Sequence, residues 1–147
     1  MLQFALRPPV AADAAFLYAV CETTMRQHVE SAGKPWATEG MREKSENDAL
    51  DSNTKIVSAA GQDIGVYSAS VRDSAYCIDM LFLLPGFQRH GVGSALLAQA
   101  RVAAANARVP IRIQVITTNP AKAFWEFHGF VVTGLEDPFF YIMQSAA

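Results

Sequence analysis

The chain has 147 residues, 51% hydrophobic and 18% charged, with a formal net charge of −2. That length suits one domain with a buried core, and the composition excludes a disordered chain. The charge leaves no electrostatic footprint for nucleic acid or an anionic membrane, and no apolar run reaches the ~20 residues that span a bilayer.

Leu2 to Arg7 alternates as a strand that Pro8-Pro9 ends. Leu17, Val20, Cys21 and Met25 recur at helical spacing, which predicts a helix over roughly 11–28. Ser31 to Trp36 is a loop by its Gly33 and Pro35, and Thr38 is placed to cap a second helix through Leu50. Thr54–Ala60 and Ile64–Val71 read as two strands around a Gly61-Gln62 turn, and Ala75–Leu84 as a third after Asp73-Ser74. A Gly-bearing loop then opens a helix that runs to about Arg108, where Pro110 breaks it. Ile111–Ile116 alternates as a strand, with Ile113 and Val115 on one face and Arg112 and Gln114 on the other. Asn119 suits an N-cap, Pro120 a first helical position and Gly129 the C′ position of a short helix. Phe130–Thr133 and Phe139–Gln144 finish as strands around an Asp137-Pro138 turn. The order β-αα-βββ-α-β-α-ββ predicts a mixed α/β (α+β) sheet sandwich, a single domain over 1–147. Cys21 and Cys77 sit in apolar contexts and read as buried free thiols, which implies a reducing cytoplasm. The amino terminus lacks the layout of a signal peptide.

The segment Gln88-Arg89-His90-Gly91-Val92-Gly93-Ser94 carries the chemistry. A strand ending in such a loop and opening a helix presents unpaired N–H groups and the positive end of the helix dipole, a ready anion site. Gly91 and Gly93 keep side chains off that backbone, and Arg89 and His90 add positive charge at its rim. A dinucleotide fold expects G-x-G-x-x-G after its first strand, and a P-loop expects Gly-Lys-Ser/Thr; neither is present. The segment is suited to a pyrophosphate.

Gln88-x-x-Gly91-x-Gly93 resembles the acyl-CoA loop of the GCN5-related N-acetyltransferase (GNAT) superfamily, whose pattern is Gln/Arg-x-x-Gly-x-Gly/Ala. Leu81 to Phe87 is similar to that family's strand and turn entering the loop, and Asn119 to Phe130 to its second signature. The resemblance implies a GNAT-like fold with acetyl-CoA as acyl donor and no metal. It implies direct attack by a small-molecule or peptide amine in a ternary complex. It further implies two splayed strands, with the pantetheine arm pairing against Leu81 and Leu83 and the pyrophosphate on Gln88 to Ser94. Leu81 is then a catalytic position through a backbone N–H for the oxyanion. Asn119 would hydrogen-bond the arm as well as cap its helix, and Lys122 would approach the phosphates or stay solvated.

An amine must lose a proton before it attacks. Asp79, in an otherwise apolar strand at the parity of Leu81 and Leu83, is the candidate base if burial raises its basicity. The other reading pairs it with an arginine or turns it to solvent. Glu22, His28 and Glu30, in and after the first helix, and Trp36 in the following loop are candidates for binding the acceptor; the bland reading makes the charges solvated and Trp36 a packing residue. The family often has a Tyr as general acid four residues before the closing Gly-Phe. This chain has Trp125 there, which cannot supply a proton near neutral pH and reads as packing against the arm. Tyr141, Tyr76 and His128 are the possible replacements. The departure keeps two competitors open, a non-catalytic acyl-CoA-binding or sensing module and an acyltransferase for another acyl group. Phe139-Phe140-Tyr141 is the candidate edge for a homodimer.

Overall fold

A computed structural model describes residues 2–146. The chain runs β1 (Ala5–Arg7), α1 (Ala14–Ser31), α2 (Thr38–Ala49), β2 (Thr54–Ala59), β3 (Gln62–Arg72), β4 (Ala75–Leu83), α3 (Val92–Ala107), β5 (Ile111–Ile116), α4 (Lys122–Phe127), β6 (Val131–Glu136) and β7 (Phe140–Gln144). The strands form one sheet in the order β1-β2-β3-β4-β5-β7-β6, antiparallel except where β5 lies parallel to β4. This is the predicted mixed sandwich.

Period-2 alternation gives the sheet two apolar faces, and each recruits a helix stripe. On one face Leu17, Val20 and Cys21 of α1 meet Ile56, Val66 and Met80. On the other Val92, Leu96 and Ala100 of α3 meet Ile64, Ile111 and Ile113. Each fully buried aliphatic side chain contributes about 1.5–3 kcal/mol, so the two layers supply the main favourable term. Arg7 fastens the edge of the sheet by bonding both Asp13 and Asp63 at 2.9 Å.

Two local expectations change. Thr38 begins α2 rather than capping it, and no side chain caps that helix. The Phe139–Tyr141 segment leads into β7, which lies between β5 and β6, so it is not an edge; the edge is β6, with Val131 and Leu135 exposed.

Two features of β4 shape the surface beside it. Its pairing with β5 is confined to Tyr76↔Ile111 and Cys77↔Arg112, after which the strands part. Along β3, Ser68 faces Met80 and Ala69 faces Ile78, so Asp79 is the extra residue of a bulge. Beside it, Gly65 of β3 lies so close to β4 that a methyl group would stand 2.8 Å from Leu83 Cδ2 and closer still to the Phe82 carbonyl oxygen. Only glycine fits that approach.

Candidate active site

The parting of β4 and β5 leaves one side of β4 without a strand partner. Leu84 N–H donates to the Ile64 carbonyl at 2.9 Å. Antiparallel alternation therefore turns the main chain of Phe82 toward β3 and that of Leu81 and Leu83 into the gap. Gln88 Nε2 donates to the Leu83 carbonyl at 2.9 Å, so this side chain anchors the loop to the strand. The Leu83 N–H and both Leu81 main-chain groups stay open to an extended, amide-bearing ligand.

The loop after β4 reaches α3 through Arg89 at φ +63° and Gly91 at φ +85°. No side chain caps α3, which leaves the N–H groups of Val92, Gly93 and Ser94 for an anion. Val92 itself is buried in the core, so it offers only its backbone. Gly93 faces Leu81 and Phe124, with room for a methyl at 3.7 Å from the Phe124 ring. A cleft of about 580 Å³ follows this edge, lined by His28, Leu81, Gln88, Gly93, Asn119 and Trp125 among others.

A chamber of about 450 Å³ joins the cleft, sharing Met25, Leu81, Phe82, Asn119, Ala121 and Trp125 with it. Its outer walls are apolar, drawn from Val29 and Trp36 on the α1–α2 side and from Ile116, Phe139 and Phe140 on the other. Lys34 joins the two sides, bonding Asp137 at 3.2 Å and lying 4.3 Å over the Phe139 ring. Trp36 Nε1 donates to Tyr18 Oη at 3.1 Å, Tyr18 Oη to Glu22 at 3.0 Å, and Arg26 holds Glu22 at 2.9 Å. Cys21 also lines the chamber, and burial pushes its thiol up to about 11, so it is inert.

The sequence pattern of the acetyltransferase (GNAT) domain matches residues 20–140. The chain belongs to the GNAT acetyltransferase family. Its fold is similar to that of a PaiA N-acetyltransferase from Thermoplasma acidophilum, solved in complex with coenzyme A, at 19% identity and a TM-score of 0.78 over 99% of this chain and 100% of that one. It is similar to an acetyltransferase from Thermus thermophilus, at 20% identity and 0.74 over 97% and 96%. It is also similar to apo YjaB from Escherichia coli, at 19% and 0.72 over 99% and 100%. No curated protein matches it by sequence.

Within this GNAT chain several side chains stand apart from where the sequence put them. Asp79 is not in an apolar setting. The bulge breaks its parity with Leu81 and turns it to the sheet face of Arg112 and Gln114, where its side chain is 45% exposed. Arg72 grips it with bonds of 2.9 and 2.5 Å, which raise the affinity of that guanidinium for its proton. It is nevertheless the one carboxylate lining the chamber among the described residues. Glu22 and Glu30 flank Arg26 on the exposed side of α1, outside the chamber. Lys122 turns from the phosphate loop to Glu126 at 3.8 Å and to the Tyr141 ring at 4.7 Å.

Other residues do meet. His28 and Trp36 line the cleft and the chamber respectively. Asn119 Oδ1 accepts from Ala121 N–H at 2.9 Å ahead of α4, and its amide nitrogen lies 3.9 Å from Met25 Sδ. Trp125 is 8% exposed, edge-on to Phe124 and Phe130 at 5.1 Å, and reaches both cavities. Of the three replacements for the missing Tyr, Tyr76 bonds Tyr67 and Tyr141 lies under Lys122, while His128 lines the cleft 3.4 Å from Ser94. Sequence reasoning missed the chamber's far wall. Lys34 and Asp137 are 103 positions apart, and no local signal joins them. The Phe139-Phe140 pair was visible but assigned to an edge.

Proposed function

We propose that this chain transfers an acetyl group from acetyl-CoA to a primary amine in a ternary complex. The observation that carries the reading is the open side of β4 running into the uncapped start of α3, with an amine-sized chamber at its inner end. Leu81 and Leu83 would pair with the amides of the pantetheine arm, and Val92, Gly93 and Ser94 N–H would hold the pyrophosphate. Arg89 adds positive charge at the rim of that loop, and Asn119 offers its amide to the arm. Bound acetyl-CoA supplies a thioester carbonyl as the electrophile.

The residues then have two tasks, because the incoming ammonium gives up its proton to water. Asp79, exposed and bonded through both oxygens to Arg72, lacks the burial that would make it the base. The open Leu81 N–H donates to the oxygen that gains charge as nitrogen bonds to the carbonyl carbon, a contact whose loss costs roughly 3 kcal/mol of barrier. The carbon–sulfur bond breaks, the second amine proton leaves, and the thiolate takes a proton. A thiol with a pKa of roughly 8.5 is a competent leaving group without a tyrosine acid. Trp125 packs at the junction and keeps it dry.

Thermal unfolding with millimolar acetyl-CoA, against NAD and ATP, tests the binding half. A ligand at 100 times its Kd adds about 2.7 kcal/mol, a shift of several degrees. Release of free thiol on adding amines tests the transfer half. A shift with acetyl-CoA but no thiol release from any amine would instead favour a binding or sensing module.

A further inference from the structure

We propose that the acceptor is an arylalkylamine, a primary amine on an aromatic ring body without a second ammonium group. This rests on the acyl-transfer reading and deepens it. The chamber places Trp36, Phe139 and Phe140 around a space of about 450 Å³, within the range of small-molecule sites. Flat apolar walls reward a flat apolar body, through burial and through ring contacts worth more than their area.

The charges around the chamber speak against a polyamine. Asp79 is its one carboxylate among the described residues, and both its oxygens are taken by Arg72. Lys34 and Lys44 line the same space, while the carboxylates that bond them, Asp137 at 3.2 Å and Asp48 at 2.6 Å, do not. The neighbouring floor, outside the chamber, adds Arg112 and two acids, Asp73 and a Glu136 that already accepts from Gln114 at 2.6 Å. Inside the chamber a second or third ammonium would meet cations and no unpaired carboxylate among the described residues. A single amine escapes that cost, because desolvation beside cations favours the neutral, nucleophilic form.

The orientation is built in as well. The Trp36–Tyr18–Glu22–Arg26 chain fixes the indole through its N–H, and the ring, packed against the α1 side of the core, still lines the chamber where the ring of the acceptor would lie. The chamber opens onto the cleft at Leu81 and Asn119, so a ring held by Trp36 directs its amine toward the thioester end of the arm.

The test measures initial rates of thiol release from acetyl-CoA with tryptamine, 2-phenylethylamine, butylamine and spermidine. Tryptamine is expected to exceed butylamine and spermidine by about tenfold or more in kcat/KM, the scale on which an apolar pocket discriminates. Trp36→Ala should lose about tenfold for tryptamine with KM for acetyl-CoA unchanged, and Trp36→Phe should restore most of it. Phe140→Glu, at a half-buried wall position, should turn the preference toward spermidine. Spermidine or butylamine equal to tryptamine overturns the inference and leaves the transfer reading intact. If no amine releases thiol although acetyl-CoA stabilises the fold, the transfer reading has failed. Calorimetry of tryptamine with the CoA-loaded protein then decides. Binding that Trp36→Ala abolishes and spermidine does not share upholds the assignment, and no binding overturns it.

Discussion

Gly65→Ala should loosen the sheet at the strand that carries the candidate site. The added methyl would stand 2.8 Å from Leu83 Cδ2 and 3.1 Å from Leu83 Cα, and nearer to the Phe82 carbonyl oxygen. Carbon atoms rest about 3.5–4.0 Å apart, so β3 and β4 must separate by most of an ångström. Two of those three atoms are backbone and cannot swing aside. Overpacking of this kind costs about 1–3 kcal/mol, and stretching the neighbouring Leu84–Ile64 hydrogen bond adds about 1. The sum is about 3 kcal/mol, a fall in Tm of roughly 9 °C for a domain of this size. Leu81 and Leu83 shift with β4, and a misplacement of about 1 Å costs up to about 10²-fold in turnover. Urea and thermal unfolding measure the first effect; thiol release measures the second. Gly93→Ala is the control for stability alone, because its methyl meets Phe124 and Leu81 at 3.7 and 3.8 Å, ordinary contact distances. It should gain about 0.5–1 kcal/mol by removing a glycine from a helix. A Gly65→Ala protein within 0.5 kcal/mol of the parent would refute the close approach on which the reasoning stands.

Other expectations rest on single observations. Thr54 is fully buried and its hydroxyl has no partner, so Thr54→Val should raise stability by about 1 kcal/mol in urea titration. Arg7→Met should cost about 1 kcal/mol at pH 7, discounted because the pair is partly solvated. The Arg7 hydrogen bond, helped by the Val10 N–H, holds the Asp13 carboxyl below its ordinary value. Its stabilisation is present above the ordinary carboxylate range and fades as pH falls through the depressed value, so the parent and Arg7→Met curves should converge in acid. Asp79→Asn should leave acetyl-CoA affinity, turnover and its pH profile within about twofold of the parent, because Arg72 already holds the carboxylate. A fall in turnover of about 10²-fold with a changed pH profile would restore Asp79 as the base.

The fold was legible because its signals are local. Proline and glycine punctuation, strand alternation and the helical stripes of α1 and α3 set the element order, and the loop from Gln88 to Ser94 sits where its spacing placed it. What the local signals could not reach is the partnership of distant side chains. Alternation put Asp79 beside Leu81, but one extra residue in β4 turns it to the other face and into the fork of Arg72. Helix position made Glu22 an acceptor ligand, but packing makes it the anchor for Tyr18 and Trp36. Lys122 stood in the right turn of α4 and points the wrong way, toward Tyr141.

Backbone sites are readable from sequence because they need only glycine, a strand end and a helix start, all set within a dozen residues. The chamber proposed for the acceptor is made from α1, the loop after it, α2, β4, β5 and the turn before β7, and only the folded sheet brings those together. Sequence alone thus determined the glycine loop and helix start at which a CoA-like anion is proposed to rest. Tertiary packing decided what would lie opposite it, because side-chain direction across a bulged, splayed sheet depends on the pairing of strands far apart in the chain.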